Sequence, residues 1–320
     1  MRGLARRRSR CADDIAESPC TGTVSRMPVP DGIHVRPMRA ADIPDGLRLC
    51  RASRWNQVAR DWAQFLALAP DGALVACRGA HVIGSVATVR YPPDTAWVAM
   101  VLVDPDERGR GIGRALLEQG LSLVDDVAVV GLDATPAGRP LYLTLGFEDA
   151  FGLRRMQRNA SRSRSESIAP GTRLGVRPLD LDDWPAVLRL DRRVTRLDRE
   201  DMLRWLWSGA PSFGWVHPTA GTDGLDGFVL GRQGEHFEHL GPIVAADLSV
   251  AQVLVDAALG QVSPDRPVVI DAASPPVGWQ AWLEDQGFEE QRPFTRMYRG
   301  EGARRQWAPG LFAIIGPEFG

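Results

Sequence analysis

Hydrophobic positions along the chain fall into short runs of period two and longer stretches of period 3.6, and the same series of runs is traversed twice. The clearest unit spans residues 97–124. It opens with an apolar run at 97–103 (WVAMVLV), which has the length and β-branched content of a strand buried on both faces. Asp104, Pro105, Asp106 and Glu107 stop that strand. Glycines then alternate at Gly109, Gly111 and Gly113, while Ile112, Leu116, Leu117 and Leu121 mark one face of a helix. The unit is therefore strand, polar turn, glycine-rich loop and helix. Before it, the pattern predicts a strand at 33–36, a helix opened by Asp42 and carrying Ile43, Leu47 and Leu49, a second helix through Trp55, Trp62, Phe65 and Leu66, and strands at 72–76 and 82–89 around a turn at Arg78 and Gly79. After it come a buried strand at 127–132, a helix at about 137–145 and a strand through 147–156.

Residues 157–171 hold a polar run (NASRSRSES) and then Pro170 and Gly171, with no core positions, and read as a linker. The pattern then restarts. LGVRP at 174–178 echoes IHVRP at 33–37, Asp182 or Asp183 opens a helix as Asp42 does, and a tryptophan-rich segment follows at 202–207. Strands at 228–230 and 237–244, a helix at 248–259 and a strand at 267–271 come next, and WQAWLEDQGF at 279–288 parallels YLTLGF at 142–147. Self-similarity at half the chain length indicates an internal duplication. The expected organisation is a tail at 1–30, a first domain at 31–158, a linker at 159–173 and a second domain at 174–320.

The glycine-rich loop leads into a helix N-terminus, where unpaired backbone N–H groups and the helix dipole together favour an anion. It is not a P-loop, which needs a lysine, and the chain contains none. Nor is it a dinucleotide fingerprint: the third glycine position falls on Arg114 or Leu116, depending on which glycine starts the count. Arg108-Gly109-Arg110-Gly111-Ile112-Gly113, preceded by a V-D-P turn, resembles the acetyl-CoA pyrophosphate loop of the GNAT N-acetyltransferase superfamily. The element order over about residues 31–158 matches that superfamily as well, and the whole chain resembles a tandem GNAT protein of the bacterial two-domain type.

That resemblance implies an α/β (α+β) fold in which each domain has a mixed, mostly antiparallel sheet flanked by helices. It also implies an acyltransferase that moves an acetyl group from acetyl-CoA to an amine by direct attack in a ternary complex. Carried over residue by residue, Met100, Val101, Leu102 and Val103 would offer backbone groups to the pantetheine arm and thioester. Arg108, Gly109, Arg110, Gly111, Ile112, Gly113 and Arg114 would hold the pyrophosphate. Tyr142, four residues before Gly146, stands where many GNAT enzymes carry a tyrosine that protonates the departing thiolate. Asp61, Asp133 and His81 are candidate bases, with a helix-surface charge, a helix cap and a turn residue as their plainer readings. Trp55, Trp62 and Trp97 could line an acceptor pocket or pack in the core. In the second copy, GPIVAAD at 241–247 runs straight into the helix without arginine or alternating glycines, so no acetyl-CoA is expected there. The acceptor stays open between small molecules and peptides. An acetyl-CoA-binding sensor, or a partner-binding module with little activity, is the alternative.

Composition changes this picture little. At 320 residues and 44% hydrophobic the chain has material for two domains, and nothing approaches an apolar run of about 18 residues. A formal charge of −2 argues against general affinity for nucleic acid, despite a cluster of Arg2, Arg6, Arg7, Arg8 and Arg10 in a tail expected to be disordered. Met27 is a second candidate for the translation start. Cys11, Cys20, Cys50 and Cys77 are too few and too scattered for a disulfide scaffold, and no metal-ligand spacing is present, so a cytoplasmic location without metal is expected. Dimerisation is left open.

Overall fold

The computed structural model describes residues 30–160, 175–300 and 309–320; the arginine-rich tail with Cys11 and Cys20, and most of the expected linker, lie outside the described residues. In the first half, β1 (Ile33–Pro37) is followed by α1 (Ile43–Ala52), α2 (Ala59–Leu68), β2 (Ala73–Arg78), β3 (His81–Tyr91), β4 (Thr95–Val103), α3 (Ile112–Ser122), β5 (Val129–Ala134), α4 (Arg139–Thr144) and β6 (Glu148–Arg158). The second half repeats the series with β7 (Arg177–Pro178), α5 (Trp184–Thr195), α6 (Glu200–Gly209), β8 (Trp215–Pro218), β9 (Leu225–Arg232), β10 (Glu238–Ala245), α7 (Leu248–Leu259), β11 (Val268–Ala273), α8 (Trp279–Asp285) and β12 (Glu289–Gly300), and adds β13 (Leu311–Ala313).

The duplication reaches individual side chains. Arg36 donates two hydrogen bonds to Asp42 at 2.7 and 2.8 Å, and Arg177 does the same to Asp183 at 2.6 and 2.7 Å. These carboxylates also accept the N–H of Arg39 and of Asp180, closing the turn that precedes each first helix. Asp42 therefore fastens that turn and does not cap the first turn of α1 as the sequence suggested. His81 begins β3 as an exposed turn residue, and Cys50 and Cys77 are buried free thiols.

The described strands form one sheet in the order β1-β2-β3-β4-β5-β12-β6-β11-β13-β10-β9-β8-β7. Pairing is antiparallel apart from β4 with β5 and β10 with β11. The order shows that the halves exchange their last strands. β12 lies against β5, from Val129 opposite Gly300 to Ala134 opposite Thr295, while β6 lies against β11, from Val268 opposite Arg158 to Ala273 opposite Leu153. A boundary drawn near 158 therefore separates elements in sequence that alternate in space.

Each exchanged seam carries the same buried ion pair between directly opposed residues. Asp133 on β5 takes two hydrogen bonds from Arg296 on β12, both at 2.8 Å, and Asp271 on β11 takes two from Arg155 on β6, both at 2.7 Å. The aspartates are fully buried, and LDA at 132–134 recurs as IDA at 270–272. Above the seams an apolar core joins the two halves, with Trp62, Phe65, Trp97, Trp184, Phe228 and Phe319 in one cluster and Phe65 stacked on Phe319 at 5.0 Å between ring centres. Burial of aromatic groups on this scale couples the stability of both halves.

Candidate active site

The site begins where β4 and β5 stop being neighbours. Their parallel pairing covers Thr95, Ala96 and Trp97 against Val129, Val130 and Gly131, and ends there. A bulge explains the parting: Ser85 on β3 faces Leu102 while Ala87 faces Ala99, so Val86 is opposed by both Met100 and Val101. An extra residue bends and twists the bulged strand. Met100 sits at φ 55, and its carbonyl accepts the Ser85 hydroxyl at 2.8 Å, which fixes the distortion. The edge of β4 from 98 to 103 then runs free along a cavity of about 820 Å³, whose lining includes Met100, Val101, Leu102 and Val103.

The edge leads into the glycine-rich loop. Gly109 and Gly111 have φ of 76° and 80°, the left-handed region that glycine adopts without a Cβ clash, and an added Cβ at either would meet nothing within 4 Å. Their need for glycine is conformational and is not a matter of crowding by the protein. α3 starts at Ile112 with no side chain capping it. Among the described residues, no carbonyl accepts the N–H groups of 109–114; the first helical bond there runs from Ala115 to Gly111. Six adjacent donors at a positive helix end are thus available to an anion.

The three candidate arginines divide. Arg108 lines the cavity, donates to the Val103 carbonyl at 3.2 Å and has no carboxylate partner among the described residues. Arg114 also lines it, with its charge balanced by Glu118 at 2.8 Å. Arg110 turns aside to Glu107 at 2.8 Å and is not part of the lining, unlike Gly109, Gly111, Ile112 and Gly113.

On the far side of the gap, α4 brings Tyr142 into the lining, where its ring packs edge-on against Phe147 at 6.0 Å. Burial pushes its phenol up to about 12, so the hydroxyl remains protonated across the neutral and mildly alkaline range. Among the described residues that hydroxyl has no hydrogen-bond partner. The base candidates fare differently. His81 and Asp61 lie outside the cavity. Asp61 is not a surface charge: it is buried, accepts the Val58 N–H at 2.7 Å and pairs with Arg232 at 3.0 Å, and burial raises its pKa against the pull of that arginine. Asp133 lines the cavity but is locked to Arg296; burial alone would lower the Arg296 pKa, and Asp133 outweighs it, so the net shift is upward. Its reading as a helix cap gives way to that seam pair. Trp55 lines the cavity, whereas Trp62 and Trp97 are core residues.

Sequence reading missed the rest of the wall. Arg155 on β6, Arg292 and Phe294 on β12, and Pro317 and Glu318 near the end of the chain all line the cavity. Glu318 is buried and bonded to Arg232, which also holds Asp61, while Arg155 is held by Asp271, whose Oδ2 also lies 3.1 Å from His239 Nε2. A buried charged network thus lies between the two halves beneath the cavity. The recurrence of LDA as IDA was its one visible signal.

The second half has the same bulge and parting but no opening. β10 pairs with β11 only at Glu238 and His239, and β13 fills the gap between them, pairing with β10 at Ile243 and Val244 and with β11 at Ala272. The fit is close: a Cβ on Gly241 would lie 2.1 Å from the Ile314 carbonyl oxygen. Asp247 also caps α7, accepting the Val250 N–H at 3.0 Å, so a carboxylate stands where α3 leaves its N–H groups free.

The first half thus presents a mixed sheet parted by a bulge, with a free strand edge running into an uncapped glycine-rich helix start. Two models of the acetyltransferase (GNAT) domain match the chain, at residues 69–149 and 187–313, and together span more than half of it; the chain belongs to the GNAT acetyltransferase family, in tandem form. Holothin acyltransferase of Pseudoalteromonas sp. is 28% identical over 250 residues, covering 78% of this chain and 82% of that protein. Among solved structures, a putative acetyltransferase from Pyrococcus horikoshii superposes with a TM-score of 0.73 at 20% identity, over 91% of this chain and 96% of the other. A tandem GNAT protein from the clavulanic acid biosynthesis pathway gives 0.59 at 19% identity, over 83% and 98%. At these identities the structures establish the shared fold. Among the described residues there is no cluster suited to a metal and no helix long and apolar enough to cross a membrane.

Proposed function

We propose that this chain is a cytoplasmic, acetyl-CoA-dependent N-acetyltransferase with one coenzyme site, between β4 and β5, and that the acceptor amine enters the same cavity. The observation that best supports this reading is the contrast between the halves: one gap is open and flanked by unpaired donors, and its duplicate is plugged by β13 and capped by Asp247. When bound, acetyl-CoA supplies an activated acetyl group and a thiolate leaving group. The N–H groups of 109–114, with Arg108, would hold the diphosphate, and the β4 edge at Met100 to Val103 the pantetheine. A strand N–H aimed at the thioester oxygen contributes about 3 kcal/mol to the transition state. Neither of the described cysteines, Cys50 and Cys77, lines the cavity, which favours direct attack by the amine over transfer through a thioester on either of them.

With the phenol pushed up to about 12 and a thiol near 8.5, complete proton transfer from Tyr142 is uphill by about 5 kcal/mol. Tyr142 therefore acts by donating a hydrogen bond to the departing sulfur. Tyr142→Phe should lower kcat about 10- to 100-fold, the worth of a hydrogen bond to a charged group, with acetyl-CoA Kd changed less than about twofold. Because the phenol ionises only near 12, wild-type kcat should show no alkaline loss from this group below about pH 11. Release of CoA thiol on an amine panel tests both statements; unchanged kcat in the variant would remove Tyr142 from the mechanism.

A further inference from the structure

Among the described residues that line the cavity, two fully buried side-chain atoms lack a hydrogen-bond partner, Arg292 Nε and Gln57 Oε1. The Arg292 guanidinium has no carboxylate within ion-pair distance among the described residues, and its Nε is buried without an acceptor. Arg292 is half-buried, and a partly desolvated guanidinium is ordinarily paired because an uncompensated cation there is costly. Here burial pushes the Arg292 pKa down to about 10, and the neighbouring Arg155 pushes the same way. The nearest well-placed carboxylates are already taken: Asp271 by Arg155, and Glu318 by Arg232. The second orphan is Gln57, 5% exposed, whose Oε1 has no donor although the residue lines the same cavity.

Around these groups the wall is already built. Asn56 ties the connection between α1 and α2 to the other half, accepting the N–H groups of His236 and Phe237 at 2.9 and 3.0 Å and donating to the Phe237 carbonyl at 3.1 Å. That connection carries Arg54, which is exposed and has no carboxylate partner among the described residues. Arg54 and Arg292 line both the main cavity and an adjoining groove of about 710 Å³ bounded by Arg51, His236, Phe237 and Gln291. The two arginines therefore stand where the cavity and the groove meet. The Phe294 ring lies beneath the Arg292 and Arg155 guanidinium groups at 5.4 and 5.3 Å, supporting them from an apolar side.

Resting on the acetyl-transfer reading above, we infer that the acceptor is an amine bearing a carboxylate, whose anionic group is held by Arg292 with Arg54 at the junction of cavity and groove, leaving Gln57 Oε1 to accept an N–H of the same molecule. The carboxylate supplies the counter-charge that Arg292 lacks, in the two-pronged geometry that suits a guanidinium. Placing the anion on β12 means that the second half, which has no coenzyme gap of its own, supplies specificity to the first.

The test compares acids with their amides. β-Alanine, γ-aminobutyrate and L-phenylalanine, each against its own primary carboxamide, are titrated calorimetrically into the full-length protein saturated with CoA. At least one acid should bind about tenfold or more tightly than its amide, as expected for a hydrogen-bonded charge pair. Arg292→Gln should bring that ratio toward one, Arg292→Lys should recover part of it, and Arg54→Gln should reduce it less than Arg292→Gln. Equal affinity for acid and amide throughout the panel, binding of neither, or a ratio untouched by Arg292→Gln would overturn the inference. Acid preference without acetylation of any panel amine would leave the anion site standing and count against the acetyl-transfer reading instead.

Discussion

Gly111→Val should weaken acetyl-CoA binding at least about 100-fold while leaving the chain folded. Gly111 sits at φ 80, where a β-branched residue is strained by about 1–2 kcal/mol. No protein atom lies within 4 Å of the new Cβ, so the strain is relieved by rotating the loop and not by disturbing the core. Rotation redirects the N–H groups at the start of α3, and the loss of two charge-assisted hydrogen bonds suffices for a hundredfold change. Gly79 offers a matched control: it too has positive φ, 59°, with nothing within 4 Å of an added Cβ, but it lies in the β2–β3 turn outside the cavity. Gly79→Val should cost similar stability and leave the coenzyme affinity alone. Equal losses in both variants, measured by calorimetry and thermal unfolding, would mean that the loop holds no anion.

Asp133→Ala and Asp271→Ala should each destabilise the protein by about 3–5 kcal/mol, because each strands a buried guanidinium at an exchanged seam. The cost comes from the orphaned arginine more than from the lost attraction. Replacing both partners, as in Asp271→Ala with Arg155→Met, should therefore recover most of the stability. Burial alone would raise the Asp271 pKa, but Arg155 and His239 together outweigh burial and hold it far below the usual carboxylate range. A carboxyl whose folded pKa is depressed contributes stability above its unfolded value, near 3.9, and loses it as pH falls toward the folded pKa. The difference between wild type and Asp271→Ala should thus persist from pH 7 to pH 5 and shrink only below about pH 4. Denaturant midpoints at several pH values decide this; single variants as stable as wild type would show that the seams are not held by these pairs.

Local order was legible in the residues. The apolar run of β4, the alternating glycines and the face of α3 name their elements because each follows from side-chain period and backbone freedom, and the echo of IHVRP in LGVRP announced the duplication. Tyr142 was singled out through the family resemblance, by its distance from Gly146, and lines the cavity. Strand partners were not legible. The pattern predicted β6 as a strand and did not predict β12, and the groups that pair strands are backbone amides common to every residue, so the exchange left no mark in the pattern. The same separation hid the charges. Asp133 lies 163 positions from Arg296 and Asp61 lies 171 from Arg232, so each looked like a cap or a surface group in its own neighbourhood. β13 escaped notice because three apolar residues carry no period, and its place in the gap between β10 and β11 gives the physical reason why the second half keeps the fold without the opening.

The most direct measurement is a crystal structure of the full chain grown with acetyl-CoA. One coenzyme per chain is expected, its diphosphate against the N–H groups of residues 109–114 and its acyl end beside Tyr142. Density for a coenzyme between β10 and β11, or a fully occupied crystal with the coenzyme bound away from the β4 edge, would contradict the assignment.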